Sequence, residues 1–192
     1  MGLRWHYTDR TMNIQSSCNG ADVSSGRVTD GELLARFLKK QDQDAFAELV
    51  YRYGDLVLGL CRRTVGDEHG AEDAFQATFL VLAQRASRLR KHNSLAAWLH
   101  SVAYRTARRV RAKQHNRREQ PLLVEMTDTH YNLFTRVTRR HEQRVLDEEI
   151  QHLAAKYRQP IVLRYLMGKS NRDIAAELGV SVGTVEGRLK RG

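Results

Sequence analysis

Asn171-Arg172-Asp173-Ile174-Ala175-Ala176-Glu177-Leu178-Gly179-Val180-Ser181-Val182-Gly183-Thr184-Val185-Glu186-Gly187-Arg188-Leu189-Lys190 is the stretch on which the reading of this chain turns. Ile174, Ala175 and Leu178 fall on one face of a short helix. Ala175 is small where a second helix has to cross closely. Gly179 stands where the chain must turn, and glycine tolerates a positive φ there. Ser181 is placed to cap a second helix, whose inner face carries Val185 and Leu189 four residues apart. Thr184, Glu186, Gly187, Arg188, Lys190 and Arg191 are left facing outward. That polar, basic face suits base edges and phosphates in a major groove. A plain helical hairpin with a solvated basic face is the competing reading. Size, turn and capping demands met together at the right spacing favour a helix-turn-helix.

Working outward, the 192-residue chain is 41% hydrophobic and has only two prolines. Helical periodicity dominates, and β-branched runs with period-two alternation are missing. The expected class is all-α: two small helical domains joined by a linker, the second ending in the helix-turn-helix. A net charge of +10 points to a polyanionic partner. Cys18 and Cys61 are the only cysteines and have no metal-ligand spacing, so a reducing compartment and no metal or cofactor are expected. No apolar run is long enough for a membrane span, and the N-terminus has no signal-peptide core, so a cytoplasmic location is expected.

Residues 1–28 are polar and rich in Ser, Asn, Gly and Thr, and read as a flexible tail. Thr29 or Asp30 opens a first helix with Leu33, Leu34, Phe37 and Leu38 inward. Asp42 or Asp44 opens a second, and Gly66-Asp67 ends it. A third runs from about His69 to Arg85 with Ala71, Ala74, Phe75, Thr78, Phe79 and Leu82 recurring. After a loop, Ser94 is placed to cap a fourth helix that reaches about Arg118. Residues 119–140 read as a linker with a partial helix. A second unit, 141–192, follows, with Val145, Ile150 and Leu153 expected inward and Pro160 in the first turn of a helix that Gly168 ends.

Charge is segregated. Arg85 to Arg118 holds eleven Lys or Arg and no acid, whereas Asp30 to Leu80 holds ten acids and six bases. Solvated helices ordinarily mix signs, so an acid-free run of this length calls for an external counter-charge such as a phosphate backbone.

Three stretches together resemble a bacterial RNA polymerase sigma factor of the extracytoplasmic-function (ECF) type. Residues 44–53, DAFAELVYRY, look like the family's early helix. Residues 71–80, AEDAFQATFL, followed by 94–105, SLAAWLHSVAYR, look like its region 2. Asp147 to Arg191 looks like its region 4. The resemblance implies a protein that binds core RNA polymerase, directs it to promoters and helps open the DNA. It assigns 29–118 to region 2, for core polymerase and the minus-ten element, and 141–192 to region 4, for the minus-thirty-five element. Core binding is implied for Asp73, Gln76, Phe79 and Leu80. Minus-ten contacts are implied for Arg85, Arg88, Lys91, His92, Asn93, Trp98, His100, Tyr104, Arg105 and Arg108. Minus-thirty-five contacts are implied for Ser181, Thr184, Glu186, Gly187, Arg188, Lys190 and Arg191. Trp98 keeps step with Leu95, Leu99 and Val102 and so belongs more naturally to the core. His100 and Tyr104 are expected to project outward. The resemblance also implies that the last helix continues past Gly192, so the C-terminal end is expected to be truncated. Promoter DNA, duplex and melted, is an expected partner, and an anti-sigma factor is a candidate one.

Catalytic signatures are missing: no HExxH, no Gly-rich phosphate loop and no nucleophile elbow, so no enzyme is expected. The rival reading is a helix-turn-helix repressor or activator with a helical sensor domain. Polymerase dependence separates the two, because a repressor binds its operator alone.

Overall fold

The computed structural model describes residues 28–89, 94–117 and 130–192. The expected N-terminal tail and the loop residues Lys91, His92 and Asn93 lie outside them. Caps fix most helix starts. On α1 (Asp30–Lys40), the Glu32 N–H donates to the Thr29 hydroxyl at 3.3 Å and the Thr29 N–H donates to Glu32 Oε2 at 2.7 Å. On α2 (Gln43–Val65), Asp42 Oδ1 accepts from the Ala45 N–H at 3.0 Å, and Gly66 leaves the helix at φ +96°. On α3 (Glu68–Arg85), Asp67 Oδ1 accepts from the Gly70 N–H at 2.9 Å. Ser94 Oγ accepts from the Ala97 N–H at 3.4 Å at the head of α4 (Leu95–Arg117). Each such cap contributes about 1 kcal/mol.

α2, α3 and α4 pack as one bundle with α1 laid on α2. Leu49, Val57, Leu60, Cys61, Leu82 and Leu99 are all fully buried within it. Ala71, Ala74, Ala96, Ala103 and Ala107 are also fully buried, so α3 and α4 meet through small side chains. Thr78 and Thr106 bridge the two helices at 2.8 Å, and Thr78 donates back to the Ala74 carbonyl at 2.7 Å. A fully buried leucine contributes roughly 1.5–3 kcal/mol, so this bundle has enough apolar burial to hold its own shape.

The second half opens on a helix longer than the partial one read in the linker. α5 runs His130–His152, so it starts inside the stretch read as linker. Ile150 faces inward as expected and Leu153 is half-buried, but Val145 is 43% exposed and Asp147 is buried in addition. The reason is polar. Asp147 is drawn to basic partners on α2 and α4, and that sets the helix's rotation. α6 (Ala155–Ile161) carries Pro160 inside it rather than in its first turn. The missing proline N–H removes one helical bond. The chain continues directly as a π-helical turn, Val162–Leu166, closed by a bond from the Met167 N–H to the Val162 carbonyl at 3.1 Å. Gly168 then reverses the chain at φ +66°. α7 (Asn171–Leu178) and α8 (Val182–Leu189) follow, buried through Ile174, Ala175, Leu178 and Val185. Among the described residues no helix is long and apolar enough to cross a membrane.

Candidate nucleic-acid interface

Two surfaces and a seam between them make up the site. The first surface is the α7–α8 pair. Ser170 and Asp173 form a capping box on α7, Gly179 turns the chain at φ +64°, and Ser181 Oγ accepts from the Thr184 N–H at 3.2 Å to start α8. Thr184, Glu186, Lys190 and Arg191 are exposed, and Gly187 and Arg188 are half-buried. Part of this set is committed locally. Ser181 and Thr184 hydroxyls share a hydrogen bond of 2.9 Å, and Arg191 Nε donates to the Gly187 carbonyl at 2.9 Å. The outward face therefore offers Glu186, Arg188 and Lys190 beyond the caps, a mixed but net basic strip.

The second surface is the basic run at the end of α3 and along α4. Arg85, Arg88, Arg105, Arg108 and Arg109 are exposed. Arg108 lies over the Tyr104 ring at 5.7 Å. Burial pushes the Arg105 guanidinium below its ordinary pKa, and the charges of Arg158, Arg85 and Arg109 push the same way. Three arginines, from α3, α4 and α6, thus bear on Arg105 there. Trp98 is half-buried and packs against the core, as its register predicts.

His100 and Tyr104 do not project outward. His100 is fully buried and Tyr104 is 7% exposed, because α5 lies over them. At this seam Arg63 grips Asp147 with two bonds, Nε to Oδ2 at 2.8 Å and Nη2 to Oδ1 at 3.2 Å. His100 Nε2 meets the same carboxylate at 3.3 Å, and the Gln151 amide meets His100 Nδ1 at 2.6 Å. Arg158 Nη1 donates to the Gln151 carbonyl at 3.0 Å. Burial pushes the Asp147 carboxyl up, but the hydrogen bonds and charges of His100 and Arg63 outweigh it and hold the group below its ordinary range. Sequence reasoning missed Arg63, Asp147, Gln151 and Arg158. An acid in step with Ile150 on a helix face was the available signal.

On α3, Asp73 and Leu80 are exposed, Leu80 at 63%, and Gln76 is half-buried. Phe79, grouped with them from the sequence, turns inward instead. Its ring lies 5.0 Å from Phe75 and 6.4 Å from Phe46. The surface patch is therefore Asp73, Gln76 and Leu80 without it. Asp67, Glu68 and His69 serve as a helix start: Asp67 caps α3 and Glu68 pairs with Arg62. Among the described residues no group of His, Cys, Asp and Glu is placed to hold a metal.

Comparison with known proteins matches residues 49–118 to the family described as Sigma-70 region 2 and residues 143–192 to Sigma-70, region 4. The ECF RNA polymerase sigma factor SigW of Bacillus subtilis is 30% identical over 168 residues, covering 81% of this chain and 88% of that protein. The ECF RNA polymerase sigma-E factor of Haemophilus influenzae is 28% identical over 175 residues, covering 86% and 92%. Among solved structures, CnrH in complex with the cytosolic domain of CnrY is 26% identical, covering 84% of this chain and 90% of that one at a TM-score of 0.41.

Proposed function

Because the chain belongs to the ECF sigma factors, which bind core RNA polymerase and direct promoter recognition, we propose that its two helical units divide that work. The repressor or activator reading is set aside by the ordered pair of family matches. Residues 29–118 take core polymerase and the minus-ten element, and residues 141–192 take the minus-thirty-five element. The chemistry belongs to the polymerase, and the chain itself has no catalytic role. The observation that carries this division is the segregation of charge. The acid-free run sits on α4 and its approach, while the helix-turn-helix presents a separate basic strip.

Core polymerase docks on Asp73, Gln76 and Leu80. Arg85, Arg88, Arg105 and Arg108 hold the backbone of the minus-ten strand, with Lys91, His92 and Asn93 assigned there from sequence alone. Extruding a base costs a few kcal/mol, which phosphate contacts and a stack of about 1–3 kcal/mol can offset. His100 and Tyr104 can join only after α5 has moved away. Glu186, Arg188 and Lys190 read the minus-thirty-five duplex. An acid such as Glu186 accepts from a cytosine amino group in the major groove.

Reconstituted transcription with core polymerase tests this division. Arg105→Ala with Arg108→Ala should reduce the unpaired thymines seen by permanganate footprinting, and a premelted minus-ten bubble should restore part of the loss. Normal thymine reactivity in the double variant removes α4 from DNA opening.

A further inference from the structure

We propose that the seam between α4 and α5 holds a binding site for a compact, multiply charged phosphate. A cleft of about 410 Å³ opens there, with Arg108, Arg111 and His115 on the α4 side and Arg144 on the α5 side. The cleft is open to solvent along one side, and its volume is enough for a small anion. Three guanidinium groups line it with a single carboxylate, Glu148; Arg108 also lies over the Tyr104 ring, and Arg144 Nη2 is 3.1 Å from His141 Nδ1. Like charges gathered from two helices repel across a cleft unless an anion lies between them. Guanidinium forks match phosphate oxygens in pairs, and three of them call for a di- or triphosphate rather than one carboxylate.

One buried side chain lies behind the same cleft. Thr64 lines it, is 2% exposed, and its hydroxyl has no hydrogen-bond partner. That oxygen is closed off behind the cleft wall, so the cationic lining by itself carries the site. The phosphate chemistry could come from a free oligophosphate or from a nucleic-acid backbone. The free anion is favoured because the cleft exists only while α5 packs on α4. A promoter strand reaching His100 and Tyr104 needs α5 gone. Bound phosphate would hold the covered arrangement and compete with the minus-ten strand.

Titration calorimetry of the full chain with inorganic triphosphate at about 0.15 M salt tests this. Saturable binding at one site per chain is expected. Arg111→Ala and Arg144→Ala should each weaken it about tenfold or more, the loss of a charge-assisted contact. Thr64→Val should leave it unchanged, since the hydroxyl it removes is closed off from the cleft. Arg172→Ala, on α7 away from the cleft, should leave it unchanged. A parallel titration uses a single strand of about 12 nucleotides. Arg144→Ala should not weaken strand binding. No triphosphate binding by the parent chain, or equal losses for Arg172→Ala and Arg144→Ala, overturns the site. Equal losses of strand and triphosphate on Arg144→Ala assign the cleft to a nucleic-acid backbone and overturn the small-anion reading.

Discussion

Asp147→Ala should open the seam between the two halves of the chain. The carboxylate is 3% exposed and takes two bonds from Arg63 and one from His100. Removing one partner of a buried ion pair costs about 3–5 kcal/mol, mostly because the other charge is stranded. Here Arg63 is 24% exposed and can turn to water, so the low end applies, about 3 kcal/mol. That is a factor of about a hundred in the ratio of covered to open forms. The repulsion between Arg105 on α4 and Arg158 on α6 acts in the same direction once the clasp is gone. Asp147→Asn keeps an acceptor and should cost less, about 1–2 kcal/mol. The effect is linked to pH. Asp147 titrates below its unfolded value of about 3.9, so its stabilisation is complete above that and is lost as pH falls through the lowered folded value. The parent chain should therefore open in acid, while the Asn variant should show a flatter pH response.

Spin labels at Lys39→Cys and Arg172→Cys, both exposed positions on opposite sides of the seam, read the separation by pulsed electron resonance. Cys18→Ser removes one competing thiol. Cys61 can stay, because it is fully buried and burial pushes its thiol up to about 12. Asp147→Ala should lengthen and broaden the distance distribution with helical content unchanged. An unchanged distribution would refute the clasp as what holds the halves together.

Three further outcomes are expected. Asp73→Arg should weaken core polymerase binding at least tenfold, because it reverses charge on the exposed α3 patch, with circular dichroism unchanged; wild-type affinity in a pull-down titration would move core binding elsewhere. If Arg188, Lys190 and Arg191 each neutralise a phosphate, duplex binding by the chain should fall with salt, contributing about −0.9 per contact to the slope of log affinity. Mutating each to Ala and measuring anisotropy from low to moderate salt checks this, and Arg191 should contribute least because it already bonds the Gly187 carbonyl. Gly70→Ala should destabilise the first bundle by about 1–3 kcal/mol in urea unfolding, since a Cβ there meets Val65 Cγ1 at 2.6 Å and Gln114 Nε2 at 2.3 Å. A neutral substitution would mean that α2 and α3 yield more easily than their packing implies.

The sequence by itself determined what local chemistry controls. Thr29 and Asp42, each one of two candidates to open its helix, and Ser94 and Ser181 all cap. Gly66, Gly168 and Gly179 stand where helices end with positive φ. The spacing of Ile174, Leu178 and Val185 already contained the helix-turn-helix, because a cap, a turn and an apolar stripe all act within a few residues. What covers a face is decided by residues far away in the chain. α4 presents small or apolar residues on much of its circumference, so periodicity did not say which side α5 would take, and His100 and Tyr104 were placed outward. Phe79 already kept step with Phe75 and Leu82 in the sequence, and its ring meets Phe46 and Phe75 inside, which takes it off the docking patch it was also grouped with. The rotation of α5 was set by Arg63 and His100 reaching Asp147 from 84 and 47 residues away, a polar pull that no apolar stripe records. Local hydrogen bonds are legible along one strand of sequence; the pairing of a buried charge exists only once the halves have met.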